Sequence, residues 1–186
     1  MREVVVEAAG VLTDRSDVTA IVEQTVSQQT PVADIAAIAT VGIAKGVGHY
    51  SDAAIGAIAR AMLRVTSTVE DVEKVEKVLL GYAAPGEKVG EKGTLGLNAM
   101  SALVAAMSRA RGEESRQADD VMLEKVQSLR AVLEQRLASG TEVDMIQSSH
   151  VATLLRGYST MGQGHLMMET LSNLRAKGYV PETIVY

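Results

Sequence analysis

The chain contains three histidines, His49, His150 and His165, and no cysteine. No histidine has a second histidine at i+3 or i+4, so no helix face presents the imidazole pair that a metal site uses. The absence of cysteine excludes disulfides, thiolate nucleophiles and Cys-based zinc or iron–sulfur centres. Ser149 and His150 are adjacent, and adjacent helical positions do not face each other, so they form no nucleophile–base pair. Glu113-Glu114 and Asp119-Asp120 are paired carboxylates. They fall where a helix begins, and acids there complement the macrodipole. Gly86 to Thr94 is glycine-rich with two lysines, but Gly93 separates Lys92 from Thr94 and no strand precedes it, so the phosphate-loop pattern is not met. Met145, Met161, Met167 and Met168 have no soft-ligand partners and read as gap-filling core residues. No catalytic, cofactor or metal-binding set emerges, and the expectation is a non-enzyme with no cofactor and no small-molecule substrate.

Charge narrows the partners. Eighteen basic and twenty-three acidic side chains give −5, and no quarter of the 186-residue chain is basic. Nucleic acids are held largely through Lys and Arg on phosphates. The only stretch suited to that is Arg109, Arg111 and Arg116, and Glu113-Glu114 lies within it. No apolar run reaches the ~20 residues needed to span a bilayer. Glu3 and Glu7 come at once in Met1–Glu7, which is neither a secretory signal nor a transit peptide.

The elements that must position these residues are helices. There is no Phe and no Trp, the five aromatics are all Tyr, and Pro occurs only at 31, 85 and 181. An Ala, Val, Leu, Ile and Met composition with so little proline favours long helical stretches. Apolar residues recur at helical spacing nearly throughout. The spacing predicts helices over 2–12, from Asp14 or Ser16 to about Gln28, from Thr30-Pro31 to Gly46, and from Ser51 to Val65. Further helices are predicted from Ser67 or Thr68 to Leu80, with Val72, Val75, Val78 and Leu79 inward, from Thr94 to Ala110, and over about 115–138. The last two run from Val143 to Thr160 and from His165 to Lys177. Gly140 and Gly178 are the stop signals. The fold expected is all-α, a right-handed array of antiparallel helix hairpins of about nine helices and no sheet. It is a single helical-repeat domain over 1–186, with sub-blocks 1–84 and 94–186 on either side of loop 85–93.

Internal similarity supports a repeat. Leu79-Leu80-Gly81-Tyr82 and Leu155-Arg156-Gly157-Tyr158 share a Leu-x-Gly-Tyr pattern at an offset of 76 residues. Ile35, Ile38 and Val41 match Val72, Val75 and Val78 at an offset of 37. Leu103 to Ser108 aligns with Leu154 to Ser159 at 51, which breaks that period.

The stretch Ala152 to Gly162, followed by Leu171-Ser-Asn-Leu174 and Lys177-Gly178-Tyr179-Val180-Pro181-Glu182, resembles one pentatricopeptide repeat. That family pattern has a Leu-Ile-x-Gly-Tyr helix, a glycine turn, a second helix and a Lys-x-Gly-x-x-Pro-Asp exit. Residues 35–60 look more like the related octotricopeptide and heptatricopeptide repeats. The resemblance implies a helical-repeat scaffold or adaptor in a mitochondrial assembly, such as a ribosome or a respiratory complex, with other protein subunits as partners. The alternative it implies is single-stranded RNA binding, with Arg109, Arg111 and Arg116 on phosphates. Pentatricopeptide repeats read bases with a small polar residue on the first helix and an Asp or Asn at the repeat end. Ala152 and Glu182 stand at those positions here, so the base-reading code is not carried over. Residues 178–186 hold one charge, Glu182. A tail so apolar is expected to dock on a partner through Tyr179, Val180, Ile184, Val185 and Tyr186.

Overall fold

An aliphatic chain poor in proline satisfies its backbone most readily in helices, whose hydrogen bonds are local. The computed structural model describes residues 31–44, 50–64, 66–83, 95–110, 116–140 and 146–180. Every regular element among them is a helix: α1 (Val32–Ala44), α2 (Asp52–Leu63), α3 (Val69–Leu80), α4 (Leu97–Ala110), α5 (Arg116–Ser139), α6 (Ser148–Thr160) and α7 (Gly164–Ala176). The two helices expected before residue 30, loop 85–93 and the tail 181–186 lie outside the described residues.

Helix ends follow local chemistry. The Ser51 hydroxyl accepts from the Ala54 amide at 3.3 Å and caps α2. Thr68 does the same for α3, accepting from Asp71 at 3.2 Å. Such caps satisfy donors that no earlier carbonyl can reach. At the end of α6, Gly162 has φ +70, Gly162 N–H donates to Ser159 O and Gln163 N–H to Tyr158 O. At the end of α7, Gly178 has φ +94, its N–H donates to Arg175 O, and Tyr179 N–H donates to Leu174 O. Both pairs are Schellman closures, and the left-handed residue in each is glycine because a Cβ disfavours that backbone.

Packing places α4 at the centre. It touches α2, α3, α5 and α6. Its apolar residues surround the helix axis, with Leu97, Leu103, Val104 and Met107 fully buried. A helix apolar on most sides belongs inside. The other contacts are α1 with α2, α2 with α3, α5 with α6 and α7, and α6 with α7.

Polar contacts fix the directions. The Asn98 amide N–H donates to the Asp52 carboxylate at 3.2 Å, and Arg109 Nη2 donates to Leu63 O at 3.3 Å. The start of α2 therefore meets the start of α4, and their ends meet too, so the two run parallel, 46 residues apart in sequence. His150, in the first turn of α6, reaches Asn98 at 3.2 Å, and Gly157 lies against Val104. Thus α6 runs parallel to α4, 52 residues on. The opposite row is tied by ion pairs. Lys125 on α5 meets Glu76 on α3 at 2.9 Å. Arg130 meets Glu169 at 3.2 Å, and Glu134 meets Lys177 at 2.7 Å, joining α5 to α7. At the first end of the molecule, Tyr50 donates to Ala39 O at 2.8 Å and meets the Tyr82 ring edge-on, centroids 6.2 Å apart.

Two details correct the sequence reading. Val78, expected inward, is 41% exposed, because α3 buries only the stripe through Val72 and Leu79. Gly81 follows the end of α3 and is exposed, whereas Gly157 is buried inside α6. The Leu-x-Gly-Tyr match at 76 residues therefore aligns a helix exit with a helix interior. Leu103 and Leu154, which share the offset of 51, are both fully buried on the neighbouring parallel helices α4 and α6.

Candidate functional site

The polar groups that the packing draws together lie at the starts of α2, α4 and α6. Gln147 N–H donates to His150 Nδ1 at 3.1 Å. That makes Nδ1 an acceptor, so the proton sits on Nε2, which donates to Asn98 Oδ1 at 3.2 Å. Asn98 Nδ2 in turn donates to Asp52 Oδ2 at 3.0 Å. Arg136 of α5 closes on the same oxygen at 3.5 Å. The chain Arg136–Asp52–Asn98–His150 thus joins four helices. A Cβ on Gly96 would collide with the Asp52 carboxyl, so only glycine lets the entry to α4 come this close.

Only 4% of His150 is exposed. Burial holds its imidazole below the ordinary histidine range; Asp52 opposes that shift, and Arg136 and Arg60 add to it. Both ring nitrogens are committed, so neither is available to take a proton from Ser101 or Ser149 nearby. An amide also stands between Asp52 and His150, and an amide does not titrate. The arrangement is that of a structural relay that orders three helix starts.

Above this relay lies a half-open cleft of about 280 Å³ between α2, α4 and α6. Arg60 and Arg109 supply its charge, and Asn98, Ser101, Gln147 and Ser149 are among its uncharged polar groups. Arg109 is exposed but ordered, since it donates to Ala105 O at 3.2 Å as well as to Leu63 O. It sits on the last carbonyls of α2, where a cation complements the dipole. Arg60 is exposed and makes no hydrogen bond or ion pair among the described residues.

The cleft belongs to a larger charge pattern. Helices α2, α4 and α6, with Arg64 just after α2, hold Arg60, Arg64, Arg109 and Arg156 against a single acid, Asp52. They contain no Lys and no Glu. Helix α3 holds Glu70, Asp71, Glu73 and Glu76 against Lys74 and Lys77. The basic and acidic surfaces therefore fall on different rows.

The residues singled out from sequence are scattered. Arg109 lines the cleft; Arg111 lies outside the described residues, as do Glu113, Glu114, Met145, Glu182 and loop 86–94. Arg116 opens α5. Tyr179 is half-buried against the core, Val180 is 79% exposed, and Ile184, Val185 and Tyr186 lie outside the described residues. The Tyr179 amide closes α7, and its side chain packs in part against the core. Met161 and Met167 pack on the core as expected, but Met168 is 61% exposed. His49 lies outside the described residues, and His165 is exposed near the start of α7. Among the described residues, no group of three His, Asp or Glu is placed to hold a metal ion, and no helix is long and apolar enough to cross a membrane.

Sequence reasoning passed over Asp52, Asn98 and Arg60. Asn98 was the visible signal, a lone amide in the largely apolar run Leu97–Ala110. Compared with models of protein families, with curated proteins and with solved structures, the chain finds no match.

Proposed function

We propose that this chain is a non-catalytic helical-repeat adaptor, a short solenoid that binds other protein subunits within a larger assembly. The observation that carries this reading is the order of packing. Helices α2, α4 and α6 lie side by side and parallel, and the intervening α3 and α5 pack behind them. Stacked hairpins have this order, because each buries its apolar face against the next. Such arrays present long faces to partners, and the polar centre of this one is used to align helices. A mitochondrial location for the assembly rests on the pentatricopeptide resemblance of residues 152–182.

The test is co-purification of the tagged full chain from its native cells, followed by size-exclusion chromatography and identification of its partners. Stoichiometric protein subunits in one peak are expected. A chain that runs alone under native conditions would sink the adaptor reading.

The arginines of α2, α4 and α6 favour a second reading, direct binding of single-stranded RNA on the same face. The expectation on the adaptor reading is that the isolated protein binds single-stranded RNA no more tightly than about 10 μM at physiological salt, weaker than dedicated binders. Submicromolar binding that falls steeply with salt and depends on Arg60, Arg109 and Arg156 would establish the RNA reading instead.

A further inference from the structure

We infer that the face formed by α2, α4 and α6 docks an acidic peptide segment of a protein partner, with Arg60 and Arg109 gripping its carboxylates in the cleft between the three helices. The inference rests on the adaptor reading and names the chemistry of the partner.

Charge complementarity is the first argument. Among the described residues of this face, the exposed charges are arginines, and the one carboxylate, Asp52, is turned inward to Asn98 and Arg136. A guanidinium presents a planar fork that matches a carboxylate with two parallel hydrogen bonds. Arg109 is already held by two backbone carbonyls, so little freedom is lost when it binds. Arg60 also lines the cleft, with no hydrogen bond or ion pair among the described residues. The uncharged lining fits a peptide backbone, since Ser101, Gln147, Ser149 and Thr153 offer hydroxyl and amide groups to main-chain N–H and C=O. Beyond the cleft, Arg156 lies three residues past Thr153 on the same side of α6, which extends the basic track.

Three features favour peptide over nucleic acid. Non-specific single-strand binders stack bases on exposed aromatic rings. Here Tyr50, Tyr82 and Tyr158 are buried, and Tyr179 lies beyond the end of α7. Among the described residues, no aromatic side chain lines the cleft. The whole chain carries −5, which opposes a long polyanion more than a short acidic segment. Finally, a half-open cleft of about 280 Å³ is at the low end for sites that enclose a small molecule, and it suits side chains inserted from a segment lying across it.

The experiment is fluorescence anisotropy with the full chain at physiological salt. A labelled oligoglutamate peptide and a labelled oligouridine are the probes. The proteins are the wild type, Arg60→Glu, and Arg175→Glu as a control on exposed α7. Saturable oligoglutamate binding in the tens of micromolar is expected, weakened about tenfold or more by Arg60→Glu and unchanged by Arg175→Glu. Circular dichroism of Arg60→Glu should match the wild type. Absence of saturable peptide binding, equal loss in both variants, or tighter binding to oligouridine than to the peptide would overturn the inference. Co-purification with Arg60→Glu separates this from the adaptor reading. Partners retained in full by Arg60→Glu refute the arginine face and leave the adaptor standing. Failure of the wild type to retain any partner refutes the adaptor.

Discussion

Tyr158 shows how much one side chain holds. It is 1% exposed and is among the largest fully buried side chains. Truncating Tyr158 to Ala removes a large ring from the core, and the expected cost is about 3 kcal/mol in chemical denaturation. A loss under about half a kcal/mol, the size of a surface substitution, would place the ring at the surface. Thr170 is the opposite case. It is fully buried, and its hydroxyl has no hydrogen-bond partner among the described residues. Thr170→Val removes that desolvated group at nearly constant shape, so stability should stay level or rise by up to about 1 kcal/mol. A clear loss in the same assay would reveal a partner for the hydroxyl. His150 sets a pH dependence. Its folded pKa lies below 6.5, so on acidification the unfolded chain takes up the proton before the folded one does. Stability from this group is complete above about pH 6.5 and declines as pH falls through the folded pKa. Glu134 is held below its usual 4.5 by Arg130 first and then Lys177, and its own decline begins only lower, near that pH. Denaturation midpoints measured between pH 7 and 5 should fall for the wild type and flatten in His150→Gln.

At the scale of elements, the close approach of α6 to its neighbours depends on Gly157. A Cβ there would stand 2.7 Å from Val126 Cγ2 and 3.2 Å from Val104 Cγ1. In an isolated helix, Gly→Ala gains about 1 kcal/mol. In this crossing the clash with a stiff, fully buried valine dominates, and Gly157→Ala should cost about 1–3 kcal/mol net. Adding Val126→Ala makes room for the new methyl, so the double variant should be less destabilised than the sum of the two singles. Strict additivity in a double-mutant cycle would show that the helices are not in contact at this point. Gly157 and Tyr158 are adjacent yet serve different contacts, one admitting the valines and the other filling the core.

For the whole molecule, the C-terminal end combines an apolar surface with few charges. Met168 and Val180 are exposed, and Leu166, Met167 and Tyr179 are partly covered by the core. The α7 helix ends in its Schellman closure before Val180, and Lys177 is tied to Glu134. Deleting residues 180–186 should therefore leave helix content and the cooperative transition nearly unchanged. On the proposed adaptor role, co-purification of partners with the truncated chain should drop. Loss of the folding transition on truncation would make the segment part of the core.

Much of this architecture was legible along the chain because it rests on local physics. Ser51, Thr68, Gly140 and Gly178 mark helix ends through interactions within a few residues of each, and the 3.6-residue period of the apolar positions set each buried face. Leu97–Ala110 was recognisable as a helix for the same reason, and its largely apolar composition is what places it at the centre. The inward-facing side of α3 was read too broadly. Val78 fits the helical period, but how wide a stripe is buried depends on the neighbours, which spacing does not contain. The Leu-x-Gly-Tyr match has the same limit: Gly81 follows the end of α3 while Gly157 lies inside α6, and which helices lie side by side is decided by packing. The cleft was invisible in sequence. Asp52, Asn98, Arg136 and His150, the relay beneath it, are separated by 46, 52 and 84 residues along their contacts, and none of those separations is a motif. Only the packing of α2, α4, α5 and α6 gathers the relay, and burying the apolar sides of α2, α4 and α6 leaves Arg60, Arg109 and Arg156 exposed.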